Sequence, residues 1–391
     1  MGDNRPTLPL RTATDGWNDA VRIHAARFSG RINRILSAIV GCGSCKKWID
    51  GCCDVLLRQI RGFIPSDEDI DPIASALTDK RGLSYLTKIF RADCVSSIVI
   101  SKPEFHLQLI GDILDEAGDE FYWADSVYAK CNKLLRNIFD YDSFRNGKVI
   151  KVPDRTSASF HWGVDSSLKR WDTAAFIQKT GLRYCPYCNA ETVYVVPKSE
   201  WGEAGDYKSA LDHFLPRSHY PFLGLSVYNL VPSCARCNTS YKLDRDPLSW
   251  WRHKANLHNG AEAKALRAAH PYVEDVYRRF EMRFALRDER IVLEYCPRTT
   301  DEAQRAQALM SCMFKWQTTY NTLFLSEARN LAINIAKMRP IYLEMIRRGF
   351  GDKVVPLDRL ICGFDIERQD FLTQRLGKLK VDLFRRYASR T

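Results

Sequence analysis

Three phrases between residues 184 and 247 decide how this chain is read: Y-C-P-Y-C-N (184–189), L-D-H-F-L-P-R-S-H-Y-P (211–221) and Y-N-L-V-P-S-C-A-R-C-N-T-S-Y-K (228–242). The first and third each hold a C-x-x-C pair, Cys185 with Cys188 and Cys234 with Cys237. Each pair presents two sulfurs from one tight turn, so closure of a site requires only that the turns meet. Four thiolates are the number that Zn²⁺ takes in closed, tetrahedral structural sites. A redox C-x-x-C is the rival reading, but two such pairs without a thioredoxin-like βαβ unit around them argue for metal.

The wider cysteine usage agrees. The chain has 13 cysteines, an odd number; no signal peptide is expected from its first residues, so clustered thiols read as ligands or as buried apolar groups and not as disulfides. Cys42, Cys45, Cys52 and Cys53 form a further cluster that either holds a second metal or packs on a helix. Adjacent Cys52 and Cys53 fit poorly on one ion. Cys94, Cys131, Cys296, Cys312 and Cys362 are isolated and read as core fillers.

With D-H-x-x-P, then N-L, then C-x-x-C-N-x-x-x-K in order in one window, the segment resembles the HNH endonucleases, the ββα-metal nucleases, in their zinc-braced version. The resemblance implies a metal-dependent phosphodiester hydrolase. In it His213 is the general base, and Asp212 a ligand of a catalytic Mg²⁺ or Mn²⁺. Asn229 ties the loop that holds the base. Asn238, standing where the named motif has its second His, is a further metal ligand, and Cys185, Cys188, Cys234 and Cys237 are the structural zinc set. Histidine suits a base at neutral pH, and an amide oxygen suits a hard cation. Arg217 and Lys242 flank the motif as phosphate contacts or, equally, as ordinary solvated charges, and Arg236 between the second pair of cysteines is read the same two ways; His219 contacts phosphate or metal, or is a polar loop residue packed beside Tyr220 and Pro221. The entry T-G-L-R-Y-C-P-Y-C, the D-H-F-L-P phrase and an H-P-Y turn at His270–Tyr272 extend the resemblance loosely to bacterial defence nucleases of the Septu type. Those work beside a separate ATPase, and this chain has no P-loop of its own.

Outward from this segment the texture is helical. Trp17, Val21, Ala25, Phe28, Ile32, Ile35 and Ile39 place one apolar stripe on a helix within 16–60, with His24 at its edge. A second helical stretch is expected from Pro103 to Phe139. V-Y-V-V at 193–196 reads as a strand, and Phe280–Leu286 with Ile291–Tyr295 as a hairpin across R-D-E-R. A long helix carries Phe324, Ala328, Leu331, Ile335, Met338, Tyr342 and Met345, kinked or divided at Pro340. Leu372, Leu376, Leu379 and Leu383 mark a last helix. Either stripe serves the core or receives a partner, and Arg347, Arg348, Arg385 and Arg386 punctuate both. The fold class expected is α+β: a helical region 1–175, a zinc-braced nuclease core 176–255, and a hairpin with helices over 256–391.

Composition bounds the rest. In 391 residues, 45% hydrophobic and 27% charged, disorder and low-complexity classes are excluded. The net charge of +11 is mild and favours an anionic partner: DNA first, RNA second. No apolar run is long enough to span a bilayer, so a cytoplasmic protein is expected, with nucleic acid and an ATPase or sensor subunit as partners and no membrane. The rival function is a zinc-ribbon nucleic-acid-binding protein that has lost catalysis. Such a protein would be expected to shed Asp212 or His213 first, and both are present.

Overall fold

The computed structural model describes Val21, Glu68 and residues 70–90, 98–146, 172–196, 207–248, 269–272, 280–297, 301–350, 355–366 and 374–388. Most of the stripe expected within 16–60, His24, the cluster Cys42, Cys45, Cys52 and Cys53, and Cys94 lie outside these residues. What is described is a mixed helix-and-strand fold with three small antiparallel sheets. No described helix is long and apolar enough to cross a membrane.

Among the described residues the N-terminal part is helical and includes α1 (Ile70–Thr78), α2 (Lys80–Phe90), α3 (Pro103–Ala117), α4 (Val127–Ile138), α5 (Tyr141–Arg145) and α6 (Thr173–Thr180). Their starts are written locally. Ser126, Asp140 and Asp172 each accept a hydrogen bond from the backbone N–H three residues on, at 3.1, 3.1 and 3.0 Å, which satisfies a donor that a helix start leaves open. Gly82 lets α2 approach its neighbours, because a Cβ there would lie 2.2 Å from Ala76 O and 2.7 Å from Val127 Cγ2. The single stretch expected over Pro103–Phe139 is two helices. Gly118, at φ 54°, ends α3 in a conformation that glycine tolerates, a 3-10 turn spans Gly118–Tyr122, and Ser126 restarts the chain. The apolar period runs on through the turn because Phe121 is itself buried.

The sheets follow. β1 (Val195–Val196) pairs with β2 (Tyr207–Lys208), so only the end of V-Y-V-V is strand. β3 (Ala210–His213) pairs with β4 (Leu230–Ser233), setting Asp212 opposite Val231 and His213 opposite Leu230. A π-helix, Arg236–Lys242, follows at once. β5 (Phe280–Arg287) and β6 (Arg290–Pro297) form the expected hairpin. Asp288 and Glu289 both take positive φ, 46° and 60°, as a two-residue hairpin turn of the twist-matched type requires.

The C-terminal helices are α7 (Asp301–Phe314), α8 (Trp316–Thr319), α9 (Leu325–Met345), α10 (Leu357–Cys362) and α11 (Gly377–Ala388). Pro340 does not divide α9. It and Ala336 are exposed, so the carbonyl it deprives of a donor lies at the surface within reach of water. The apolar stripe of α9 is sunk in the core only in part: Ala328 and Ile335 are buried, Leu331, Met338 and Tyr342 are half-buried, and Met345 is exposed, as are Ile341 and Leu343 off the stripe. Leu376, expected inside the last helix, precedes it at φ 53°, and its N–H donates to Asn189 O at 2.7 Å. Leu379 and Leu383 are buried within α11. One continuous apolar core joins residues from α1 through α11.

Candidate functional site

The four expected zinc ligands meet. One sulfur from each of Cys185, Cys188, Cys234 and Cys237 lies within 4.8 Å of the others, and all four residues are buried. Cys188 and Cys234 Sγ are 3.9 Å apart, close to the edge of roughly 3.8 Å that four Zn–S bonds of about 2.3 Å produce in a tetrahedron. The first turn is shaped by backbone bonds from Cys185 N to Glu191 O and from Asn189 N to Cys185 O, both 2.8 Å. The second starts the π-helix, where Cys237 N–H donates to Cys234 Sγ at 3.4 Å. Hydrogen bonds from Cys185, Cys188 and Cys237 hold the Cys234 thiol below its ordinary range, while Cys185, mainly through burial, and Cys237, mainly through its bonds to the other three sulfurs, are pushed up; four sulfurs this close could hold a cation such as zinc. Arg236 pairs with Glu191 at 3.0 Å and links the two turns.

The rest of the molecule locks this cluster in place. Tyr320 donates to Cys188 O at 2.6 Å, and Trp316 Nε1 donates to Tyr187 O. Buried Asn189, at φ 52°, accepts from Lys378 N at 3.0 Å and donates to Gln374 O at 3.2 Å. The C-terminal helices therefore seat directly on the first knuckle.

Strand alternation sends Asp212 and His213 to different surroundings, as adjacent strand positions must. The half-buried His213 ring brings Nε2 to 3.0 Å from Gly224 O. A carbonyl only accepts, so Nε2 carries the proton and Nδ1 keeps its lone pair. Burial lowers the pKa of His213, to about 3, against the opposing bond to Gly224 O; the charges of Arg217 and Lys242 add to the lowering. The imidazole is therefore neutral at pH 7. Its face meets Tyr141 of α5 edge-on, centroid to centroid at 4.4 Å.

Asn229 braces both sides of that histidine. Its Oδ1 accepts from Leu215 N at 2.7 Å, and its Nδ2 donates to Leu215 O at 3.0 Å and Leu223 O at 3.2 Å. Leu215 follows His213 by two residues and Leu223 precedes Gly224, so the amide fixes the two segments that the His213–Gly224 bond joins.

Asp212 lies on the other side, 3% exposed. Its Oδ2 accepts from Tyr187 OH at 2.7 Å and its Oδ1 from Lys242 Nζ at 3.1 Å. Lys242 also donates to His213 O at 2.5 Å. Lys242 is thus no surface contact for phosphate: at 1% exposure its charge is buried, and the Asp212 carboxylate neutralises it. Asn238 is half-buried in the first turn of the π-helix, its N–H on Cys234 O at 3.0 Å. The catalytic divalent ion expected at Asp212 and Asn238 finds no ready carboxylate here. Both Asp212 oxygens already have donors, and an ammonium supplies the counter-charge.

Removing one partner of a buried ion pair leaves an uncompensated charge. Lys242→Met is accordingly expected to cost about 3 kcal/mol, read as a lower urea midpoint, with part of the loss recovered on adding Asp212→Asn. An unchanged midpoint for the single variant would show that the pair is not desolvated.

Around this centre, Arg217 pairs with Asp142 at 2.9 Å and lies over the Tyr141 ring at 5.1 Å. His219 stands 3.6 Å from the buried Asp246 carboxylate, which also accepts from Tyr220 OH at 2.9 Å. Tyr141, Arg136 and Tyr187 have no counterpart in the sequence reading. Tyr141 and Arg136 come from the helical region and reach the loop after β3 from about 70 to 80 positions away, so no local spacing announces them. Tyr187 had one signal, its place between two ligands of a knuckle, where a side chain must turn into the core.

Comparison with known proteins adds little to this geometry. No family model matches the chain, and no solved structure matches it. The chain is 40% identical to protein ea31 of Escherichia phage lambda over 58 residues, a stretch that spans 15% of this chain and 15% of that protein.

Proposed function

We propose that the chain is a zinc-braced nuclease of the HNH type that hydrolyses phosphodiester bonds, with DNA as its first substrate. The observation that carries this reading is His213: a neutral imidazole with Nε2–H pinned to Gly224 O and Nδ1 left with its lone pair. Such a group takes a proton from water as the water oxygen bonds to phosphorus and the phosphorus–oxygen ester bond breaks. Two further features support it. Asn229 fixes the loop from both sides, and β3, β4 and the π-helix succeed one another with the four-cysteine cluster beneath. In this reading His213 is the catalytic residue, Asn229 and Tyr141 are positioning residues, and Lys242 with Asp212 braces the strand that carries the base. Service as the effector of an anti-phage system beside an ATPase subunit is the narrowest part of the proposal and rests on sequence phrases alone.

The saturated Asp212 favours a second reading, a nucleic-acid-binding protein without catalysis. One panel separates the two: plasmid, single-stranded DNA and RNA, each incubated with Mg²⁺, Mn²⁺ or a chelator that leaves the cysteine-bound zinc in place. Cleavage of DNA in at least one of these conditions is expected. Binding with no cleavage of any substrate under any condition would establish the second reading instead.

A further inference from the structure

Arg136 of α4 and Arg217 of the loop after β3 come from regions about 80 positions apart, yet they frame the same short segment. Arg136 Nη2 donates to Ser218 O at 2.9 Å, next in sequence to Arg217. Arg217 lies over Tyr141, and Tyr141 lies against His213. The two centroid distances bound the separation of guanidinium and imidazole at about 10 Å, a few steps of a strand that rises about 3.4 Å per nucleotide. Among the described residues Arg136 has no carboxylate partner, and the one carboxylate on Arg217 is Asp142, whose side chain is 62% exposed. Burial, and then the charge of Arg217, lower the pKa of Arg136. Two cations held near each other with one solvated counter-ion leave room for an anion, and a guanidinium fork matches phosphate geometry. An exposed ion pair is worth little, so phosphate can displace Asp142.

We propose that Arg136 and Arg217 clamp a backbone phosphate next to the one cleaved at His213, so that the site takes a polynucleotide strand and not an isolated phosphodiester. The proposal rests on the nuclease reading above. Its test measures binding and cutting separately. Binding of labelled duplex and single-stranded DNA is followed over a salt series, in a His213→Ala background with zinc content confirming the fold. Replacing both residues, Arg136→Gln with Arg217→Gln, should weaken binding roughly tenfold. The slope of log K against log salt should become shallower by about 0.9 for duplex and about 0.7 for single strand. The Lys replacements should keep the slope, and Asp142→Asn should tighten binding. In the His213-intact protein, the Gln pair should slow cutting of the polymer by a larger factor than hydrolysis of a small activated phosphodiester. An unaltered slope in a protein that cuts DNA overturns the clamp and leaves the nuclease reading standing. If the parent neither binds nor cuts any nucleic acid, both fall.

Discussion

Cys234→Ser is expected to unfold the middle of the chain, not merely to loosen a loop. Cys234 is one of four buried sulfurs that lie within 4.8 Å of one another, and its N-terminal flank is β4, the strand that registers His213. Structural zinc contributes about 10–16 kcal/mol to small zinc-dependent folds, as much as a typical domain's entire stability of about 5–15 kcal/mol. Loss of one ligand also leaves three buried thiols around an ill-fitting ion, under Tyr320, Trp316 and Asn189, which are tied to the first knuckle. The wild-type protein should carry one zinc per chain after dialysis, and the variant should be insoluble or open to protease within 184–242. A soluble, zinc-free Cys234→Ser protein with the wild-type urea midpoint would contradict this role.

His213→Ala is expected to lower the cleavage rate by about 10² to 10⁴ while leaving zinc content and urea midpoint near those of the parent. The small effect on stability follows because the ring is half-buried at the end of β3 and makes one hydrogen bond, whereas Asn229 holds the same loop through three. The pH profile gives an independent check. A base works in its neutral form, and burial moves this one below the ordinary histidine value of about 6.5. The rate should therefore stay level as pH falls through 6.5 and drop only as the lowered value is approached. A half-maximal rate near pH 6.5 would place the imidazole in open solvent. Loss of the whole profile in His213→Ala, with no new limb, would assign it to this residue.

The four cysteines and the Asp212-His213 step were legible in the sequence because their information is local: two-residue spacings within knuckles, and alternation along one short strand. The hairpin at Phe280–Pro297 was legible for the same reason. Lys242 was not. Four positions after Asn238 it reads as a charge near phosphate, and only the fold brings it to Asp212, 30 positions back, where both are buried. Tyr141 and Arg136 depend on how a helical layer seats against the loop after β3, a tertiary fact with no local period. The reading of α9 as one stripe holds for Ala328 and Ile335, which the core buries, and fails at its end, where Met345 is exposed, and at Pro340, which leaves the helix undivided. The break at Gly118 was visible as a residue but was overridden by the buried Phe121, which keeps an apolar period going through a turn.

Whether His213 is the base of a nuclease is read from single-turnover cleavage of end-labelled DNA. Zinc-replete parent and His213→Ala protein are run side by side, with either Mg²⁺ or Mn²⁺ present. Discrete loss of full-length strand is expected with the parent, and intact strand with the variant over the same interval. Equal cleavage by both proteins, or intact strand with both, would contradict it.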